Sequence, residues 1–429
     1  MLLFLPLLAA ASPAKPVWLL SIEGAISPAS ADFFVRTLQR AEAEGVELLV
    51  LQLDTPGGLD ASMRQMVKAI LASEVPVATY VAPAGARAAS AGTYLAYASH
   101  IAAMAPATNL GASTPVSVSP MGGAPGAEGY GPSAMEKKVI NDAVAYLQGL
   151  AELRGRNAEW AEETVREGAS LSAREALELG VIDLVAEEIE TLLAALHGRE
   201  VTLDGAHRTL QLDDYQLTRI EPGWRYELLN LITDPNVAYI LLMIGLYGLI
   251  LEFYNPGVGI AGVVGVICLL LAAFALHLLP INYAGLALIL VGVGLMVAEA
   301  LSPSFGVLGV GGVAAFVTGS VLLLDSDLPG YQISLPLIAA FAVSSAAIFI
   351  FVVGAALNAR RHRVVTGLEA LIGAPAEALE DFDGEGRVLA QGEHWHAVAD
   401  RPIQRGQPLR ITALDGLTVH VEPTEERIP

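Results

Sequence analysis

The sequence predicts three consecutive parts, namely an α/β domain, an α-helical membrane region and a small all-β barrel. Short apolar runs alternate with longer mixed segments over residues 16–198, five apolar segments follow between residues 237 and 357, and spaced glycines divide the chain from Gly367 onward. With 54% hydrophobic residues and a mean hydropathy of +0.53, the chain is too apolar for an ordinary soluble protein. We therefore expect a membrane protein that also carries soluble domains.

The overall charge limits the partners that the chain can bind. Its formal net charge of −21 argues against nucleic acid and against an anionic membrane surface, because both select for basic patches. The single cysteine, Cys268, excludes internal disulfides and Cys-rich metal sites. We expect no metal and no cofactor.

Residues 1–14 resemble a secretory signal, since a short apolar stretch ends in small residues, with cleavage expected near Ala11 or Ala14. No Lys or Arg precedes this stretch. Two alternatives therefore stay open, a start upstream of Met1 and a segment that is retained as an anchor.

The α/β domain is assigned to residues 15–200. Apolar runs predict buried strands at 17–22, 47–53 and 75–81, and mixed segments predict helices at 30–44, 59–72 and 133–154. Alternation of this kind predicts a mainly parallel sheet. A loop rich in Gly, Pro and Ser at residues 117–132 is long enough to gate or shape a cleft.

A connector of residues 201–236, with Trp224 and Tyr226 as interfacial aromatics, leads into a membrane region at residues 237–357. Apolar segments of close to ~20 residues predict five spans, at 237–254, 258–279, 283–301, 306–324 and 333–357. The basic cluster at residues 358–363 predicts a cytoplasmic end for the last span. Five crossings then place the α/β domain outside the cytoplasm.

Two turns of the membrane region repeat one pattern. Glu252, Pro256, Gly259 and Gly262 recur as Glu299, Pro303, Gly306 and Gly309, and Gly245 recurs as Gly292, each at an offset of 47 residues (299 − 252). This pattern indicates a duplicated helical hairpin, and two ordinary Pro/Gly turns are the alternative.

Residues 364–429 predict a small β-barrel, because glycines separate short apolar runs of strand length. His394 and His396 flank Trp395 in this part of the chain. We expect both histidines to be solvated strand residues and not metal ligands, because no third ligand is evident.

Ser90 is the candidate nucleophile. Small residues surround it and residues 94–98 predict a helix, so its hydroxyl would lie near backbone N–H groups that stabilise an oxyanion. The alternative is an ordinary N-cap serine. Because no Gly-x-Ser-x-Gly motif surrounds Ser90, a triad with His100, His197 or His207 is only weakly supported.

A lysine is the stronger candidate for the general base. The chain has four lysines, and Lys137 and Lys138 are adjacent at the start of one predicted helix. A desolvated lysine can act as a base whereas arginine cannot, although lowering a lysine pKa from ~10.4 to ~7–8 requires roughly 3–5 kcal/mol. Two surface lysines are the alternative, and helical periodicity does not choose between Lys137 and Lys138.

The motif Asp54-Thr55-Pro56-Gly57-Gly58 ends a predicted strand, and its glycines let backbone N–H groups face a ligand without obstruction. A donor from Gly57 or Gly58, together with the N–H of Ala91, would form a two-point oxyanion hole.

The sequence resembles the ClpP/crotonase-type fold of membrane-bound serine proteases in four motifs that occur in order: DTPGG, AASAGTYLA, a lysine ahead of AYLQGLAELRGRN, and SLSAREALELGVID. The predicted spans and terminal barrel resemble the long form of the NfeD proteins, whose barrel is OB-like. The resemblance implies a Ser–Lys dyad with Ser90 as nucleophile and Lys138 as base. It also implies apolar cleavage sites, a homodimer or higher homo-oligomer, and a stomatin-like membrane protein as substrate or partner.

These observations lead to the hypothesis of a serine endopeptidase in the cell membrane, with its protease domain outside and its barrel in the cytoplasm. A non-catalytic membrane scaffold that recruits stomatin-like partners is the alternative. Acyl-CoA chemistry on the related crotonase fold fits poorly with export and would need no lysine base.

Overall fold

The computed structural model describes residues 15–115, 134–203, 205–254, 257, 259–302, 304, 306–324, 331–361 and 371–424. Several predicted features lie outside the described residues: the signal segment 1–14, the Gly-rich loop 117–132, Pro256, Pro303 and the basic residues 362–363. The α/β part and the membrane helices up to residue 346, apart from residues 299–304, form one compact unit, and the barrel belongs to a second unit.

The α/β part contains eleven strands and seven helices in its described residues. The strands are β1 (Lys15–Glu23), β2 (Leu48–Asp54), β3 (Val77–Val81), β4 (Arg87–Ala89), β5 (Ile101–Met104), β6 (Asn109–Gly111), β7 (Ser170–Ser172), β8 (Leu184–Val185), β9 (Glu200–Leu203), β10 (Ala206–Thr209) and β11 (Tyr215–Ile220). The helices are α1 (Pro28–Glu44), α2 (Asp60–Leu71), α3 (Ala91–Ala98), α4 (Ala134–Arg154), α5 (Ala158–Arg166), α6 (Ala173–Glu178) and α7 (Ile189–Leu196).

The main sheet has six strands in the order β11-β1-β2-β3-β5-β8, and all of its pairings are parallel. A second sheet joins β4, β6 and β7, and β9 pairs with β10. Because β11 pairs with β1, the α/β part extends to Ile220, beyond the boundary at residue 200 that the sequence predicts. In the edge strand β11, exposed polar residues separate the partly buried apolar residues, which is why its sequence resembles a connector.

Alternate residues of the central strands divide between the two faces of the main sheet. In β2, Leu49, Leu51 and Leu53 pack in one buried cluster with side chains of α1, α2 and α4, whereas Leu48 and Val50 pack in another with side chains of α7. Since both faces are covered, the strands read as continuous apolar runs.

Local signals explain where α1 begins and ends. Ser27 and Ser30 form a reciprocal capping box, and Pro28 occupies the first turn, where its missing N–H costs nothing. Gly45 ends the helix in the left-handed conformation, with φ of 68°.

The described residues after the α/β part contain six helices: α8 (Trp224–Ile232), α9 (Pro235–Tyr254), α10 (Ile260–Leu278), α11 (Tyr283–Leu301), α12 (Val307–Leu323) and α13 (Leu335–Arg361). Among the described residues, three helices, α9, α10 and α11, are long and apolar enough to cross a membrane. α12 and residues 335–348 of α13 are apolar but shorter. Membrane helices are therefore present, and five spans remain a prediction.

Close glycine contacts recur in the two predicted hairpins. A Cβ added to Gly265 would lie 3.1 Å from the carbonyl oxygen of Gly245, and one added to Gly312 would lie 2.7 Å from that of Gly292. The two contacts are 47 residues apart (292 − 245), the offset of the sequence repeat. Small residues let paired membrane helices approach closely, so these contacts support the predicted duplication.

The last part of the chain forms a closed barrel of five strands: β12 (Pro375–Ala378), β13 (Phe382–Ala390), β14 (Glu393–Ile403), β15 (Pro408–Asp415) and β16 (Thr418–Pro423). The order β12-β13-β14-β16-β15 is compatible with the predicted OB-like barrel. His394 and His396 are exposed, as expected. No cluster of three or more His, Cys, Asp or Glu suited to a metal ion occurs within the described ranges.

Candidate active site

Ser90 lies in the turn between β4 and α3, in a backbone conformation that few residues adopt. Its φ of 49° and ψ of −111° place a non-glycine residue at positive φ, which costs on the order of 1–3 kcal/mol. The Ser90 N–H donates to the carbonyl of Gly111 at 2.8 Å, and the Ser90 carbonyl accepts from the N–H of Thr93 at 2.9 Å. These bonds hold the strained turn in place.

The side chain of Ser90 makes no hydrogen bond that caps α3. The alternative interpretation as an N-cap serine is therefore wrong with respect to its hydroxyl. A strained serine in a turn between a strand and a helix is typical of nucleophilic serines in hydrolases.

Glycines allow the neighbouring loop to approach Ser90. A Cβ on Gly57 would lie 2.9 Å from the Cβ of Ser90 and 3.4 Å from its Oγ. A Cβ on Gly92 would lie 2.7 Å from the Cγ2 of Thr55. The segment around Thr55 can thus approach the Ser90 turn this closely only because Gly57 and Gly92 have no side chains.

Of the predicted oxyanion donors, Gly57 must be corrected. Its N–H donates to the side-chain Oγ1 of Thr55 at 3.1 Å, because this hydroxyl folds back over its own turn. Gly58 forms a parallel bridge with Ile26, but the N–H that donates to the carbonyl of Ile26, at 2.9 Å, belongs to Leu59. The N–H of Gly58 is therefore not used in this bridge.

Within the described part of the chain, the N–H groups of Gly58 and Ala91 have no hydrogen-bond acceptor. Both residues line the same cleft as Ser90. Of the candidate oxyanion donors, Gly58 and Ala91 are thus the two whose N–H groups are not bonded to another described residue.

Lys138 shares a cleft of about 770 Å³ with Ser90. Of the two adjacent lysines that the structure describes, Lys138 alone lines this cleft. Ser90 and Lys138 line the same cleft but form no hydrogen bond with each other, and Lys138 is exposed. The expected desolvation of this lysine is not seen in the single chain, because the first turns of α4 project from the core and burial begins only at Ala143.

Charged and aromatic side chains fix α4 against α2 beside the cleft. Arg64 of α2 pairs with Asp60 at 3.0 Å and with Asp142 of α4 at 2.9 Å. The guanidinium of Arg64 also lies 4.4 Å from the centre of the Tyr146 ring. Burial raises the pKa of Tyr94, which stacks on Tyr146 at 5.9 Å, so its phenol stays neutral.

The three histidines considered for a triad do not line the cleft. His100 accepts a hydrogen bond from the N–H of Val77 at 3.2 Å, and burial, with nearby arginines, lowers its pKa to about 3. His197 accepts from the N–H of Leu212 at 3.1 Å, and His207 is exposed on β10. Their contacts are structural, so the triad interpretation finds no support.

Sequence reasoning missed part of the cleft. The pairing of Arg64 with Asp60 has a local signal, since the two residues are four positions apart on one helix. Its link to Asp142 joins distant segments and has no such signal. The cleft is also lined by His277, Leu278, Leu279 and Pro280, at the end of α10 and in its connection to α11.

Family models match three successive stretches of the chain. They describe NfeD1b, N-terminal domain, at residues 16–205, the NfeD integral membrane domain at residues 236–355, and the NfeD-like C-terminal, partner-binding domain at residues 368–423.

Solved structures of one protease resemble the N-terminal part. A serine-to-alanine mutant of the 1510-N membrane-bound stomatin-specific protease is 36% identical, with a TM-score of 0.45, over 49% of this chain and 99% of that chain. A lysine-to-alanine mutant in complex with a substrate peptide is 35% identical, with a TM-score of 0.46, over 52% of this chain and 100% of that chain.

Two relatives match longer stretches. Membrane protein NfeD1b of Bacillus subtilis is 28% identical over 270 residues, which cover 60% of this chain and 55% of that protein. Membrane-bound protease PH1510 of Pyrococcus horikoshii is 36% identical over 418 residues, which cover 94% of this chain and 92% of that protein. Since the second alignment spans almost the whole of both proteins, the chain belongs to the NfeD family.

Proposed function

We propose that the chain is a membrane-anchored serine endopeptidase in which Ser90 is the nucleophile and Lys138 the general base. The observation that carries this proposal is the shared cleft, which is lined by a strained serine, by a lysine and by Gly58 and Ala91. The relation to a membrane-bound protease supports the same activity.

The reaction proceeds through an acyl-enzyme. The Ser90 oxygen attacks the peptide carbonyl carbon while the neutral Lys138 amine takes its proton, and the N–H groups of Gly58 and Ala91 stabilise the oxyanion. The C–N bond then breaks as the Lys138 ammonium returns the proton to the leaving amine. Water, deprotonated by the same amine, then attacks the carbonyl carbon of the ester. The bond from this carbon to the Ser90 oxygen breaks, the Lys138 ammonium returns its proton to that oxygen, and the second product leaves as a carboxylic acid. No step needs a cofactor.

Substrate completes the environment of the base. Lys138 is exposed in the single chain, and its role as general base requires a neutral amine, which exclusion of water favours. A peptide that fills the cleft displaces water from around the amine and so favours its neutral form. Assembly of two or more chains, as the family resemblance implies, would exclude water in the same way.

The substrate we propose is an apolar segment of a stomatin-like membrane protein. The related protease is described as stomatin-specific. Apolar side chains of Leu59, Met63, Met135 and Val139 line the cleft of this chain, which favours apolar peptide segments.

The proposed architecture joins a ClpP/crotonase-like protease domain, ending at Ile220, to five membrane spans at residues 237–357 and an OB-like barrel at residues 364–429. The parallel main sheet and the second sheet that leads into Ser90 support the fold assignment. We place the protease domain outside the cytoplasm and the barrel inside.

A non-catalytic scaffold is the second candidate. It is favoured by the exposure of Lys138 and by the match of the barrel to a partner-binding domain. In this case the cleft would bind apolar peptide without cleaving it, and the barrel would recruit a stomatin-like protein.

Peptide cleavage by the purified full-length chain separates the two candidates. We expect Ser90→Ala to lower kcat/KM by more than about 10³-fold and Lys138→Ala by roughly 10²–10⁴-fold, while Lys137→Ala, the matched control, stays within about twofold. A serine-directed acylating probe should label Ser90. If the wild type and the Ser90 and Lys138 variants release product equally slowly, the chain is a scaffold and not a protease.

A further inference from the structure

One wall of the cleft comes from the membrane region. His277 and Leu278 end α10, and Leu279 and Pro280 begin its connection to α11, and all four line the cleft that holds Ser90. The other lining residues belong to the α/β part. The space available to a substrate is therefore bounded by two parts of the fold.

Buried apolar contacts hold this wall in place. Leu59, which follows the proposed oxyanion donor Gly58, is 7% exposed and belongs to the same buried cluster as Leu276 and Leu279. Leu279 is 5% exposed and anchors the wall, whereas His277 is exposed and Leu278 is half-buried. Leu279 thus fixes the segment, and His277 and Leu278 remain accessible from the cleft.

A second junction between the two parts lies at α8. The ring of Tyr226 on α8 lies 5.2 Å from that of Phe33 on α1, and Arg225 pairs with Asp32 at 3.2 Å. These contacts tie the start of the membrane region to the α/β part.

The same helix marks the position of the membrane surface. Trp224, Leu228 and Leu231 are exposed at a spacing that places them on one face of α8. An apolar face with an aromatic residue, directly before a membrane helix, is typical of a helix at the membrane surface. Since α8 contacts α10, whose last residues wall the cleft, we place this wall next to the same surface.

We infer that His277 and Leu278 belong to the substrate-binding surface, and that the chain selects peptide segments presented at the membrane surface. This inference rests on the proposed protease function. A segment next to a membrane anchor is already confined to this surface, so its effective concentration at the cleft is high. Leu278 offers it apolar contact, which favours an apolar segment over a charged one.

A charge exchange at Leu278 tests this contact. Full-length Leu278→Glu and Leu278→Lys are compared on an apolar peptide that carries a single Glu or Lys at successive positions along the cleavage site. We expect the ratio of kcat/KM for the two peptides to differ about tenfold or more between the variants at one peptide position, because opposite charges attract and like charges repel. A merely structural role would lower both rates alike and leave the ratio unchanged.

The matched controls are Leu177→Glu and Leu177→Lys on α6, since Leu177 is 41% exposed and does not line the cleft. They should leave the ratio at the wild-type value. If the charged variants at Leu278 do not assemble, Leu278→Ala should raise KM at least fivefold with kcat within about twofold, and Leu278→Met should restore KM.

The outcomes separate this inference from the function on which it rests. The inference is overturned if the wild type cleaves the peptides but no Leu278 variant changes the ratio of kcat/KM for the Glu and Lys peptides. It is also overturned if KM is unaltered in Leu278→Ala. Both results leave the proposed protease function intact. No cleavage of the apolar peptide by the wild type overturns both.

Discussion

The two halves of the proposed dyad are held very differently. Backbone hydrogen bonds lock the turn around Ser90, and every residue of α3 is buried. Lys138 lies on the projecting start of α4, where it is exposed and where the contacts of Arg64 with Asp142 and Tyr146 join this helix to α2. The nucleophile is thus pre-organised in the single chain, whereas the environment of the base depends on what fills or covers the cleft.

The largest effect on cleavage is expected from a substitution at Gly57, which packs tightly against the rigid turn around Ser90. Gly57→Ala would place a Cβ 2.9 Å from that of Ser90 at a φ of +123°, which forces the Ser90 turn to move. We expect kcat/KM to fall about 100-fold, because a small misplacement of reacting groups has an effect of this size. Peptide cleavage measures the change.

Gly85→Ala is the matched control for this substitution. Gly85 also has a positive φ, of +89°, but a Cβ there would meet nothing within 4 Å. The control should lose roughly 1–2 kcal/mol of stability at most and keep its activity. Equal losses of activity in both variants would show that backbone strain, and not the fit against Ser90, accounts for the result.

An intermediate effect is expected on the pH dependence of stability, through His100, which lies shortly after α3. Burial lowers the pKa of His100 to about 3, below the ~6.5 of an unfolded histidine, so the unfolded chain binds a proton that the folded chain excludes. The contribution of the neutral His100 to the free energy of unfolding is complete above pH ~6.5, and it declines as the pH falls towards the pKa of the folded state. Between pH 7 and pH 5, protonation of His100 in the unfolded chain should lower the free energy of unfolding of the wild type by about 1–2 kcal/mol.

His100→Asn isolates this contribution, because asparagine can accept the hydrogen bond of Val77 and does not protonate. Thermal unfolding in detergent at pH 7 and pH 5 should show a smaller loss for His100→Asn than for the wild type. The exposed His207, changed to Asn, serves as the control and should behave as the wild type. A pH response that His100→Asn leaves intact would assign the acid sensitivity to other groups.

Local patterns in the sequence predict most of this architecture. The strands predicted at 17–22, 47–53 and 75–81 and the helices predicted at 30–44, 59–72, 94–98 and 133–154 rest on local signals, and the structure has strands and helices at these places. The edge strand β11 was missed because polar residues separate its apolar residues, Tyr215, Leu217 and Ile220, so that it contains no continuous apolar run. The N–H of Gly57 donates to the Oγ1 of Thr55, a contact that depends on the rotamer of Thr55 and that the sequence does not reveal.

Contacts between distant segments account for the rest. Helical spacing does not choose between Lys137 and Lys138, and only the packing of α4 beside the cleft separates them. The wall of residues 277–280 is likewise set by how the membrane helices pack against Leu59. Neither result follows from the composition of one segment, since each needs the positions of two.

The smallest predicted effect tests the ion pair between Arg64 and Asp142, which joins α4, the helix that carries Lys138, to α2. Asp142→Asn breaks the ion pair with Arg64, and because both side chains are partly exposed, the stability should change by less than about 1 kcal/mol. We expect kcat/KM to fall only about three- to tenfold, since α4 would still pack through Tyr146 and the residues buried beyond it. Glu380→Gln, which breaks the exposed pair of Glu380 with Arg387 in the barrel, should leave cleavage unchanged. A loss in Asp142→Asn as large as that in Lys138→Ala would mean that the base is fixed by this ion pair alone, and the contrast between a rigid nucleophile and an adaptable base would no longer hold.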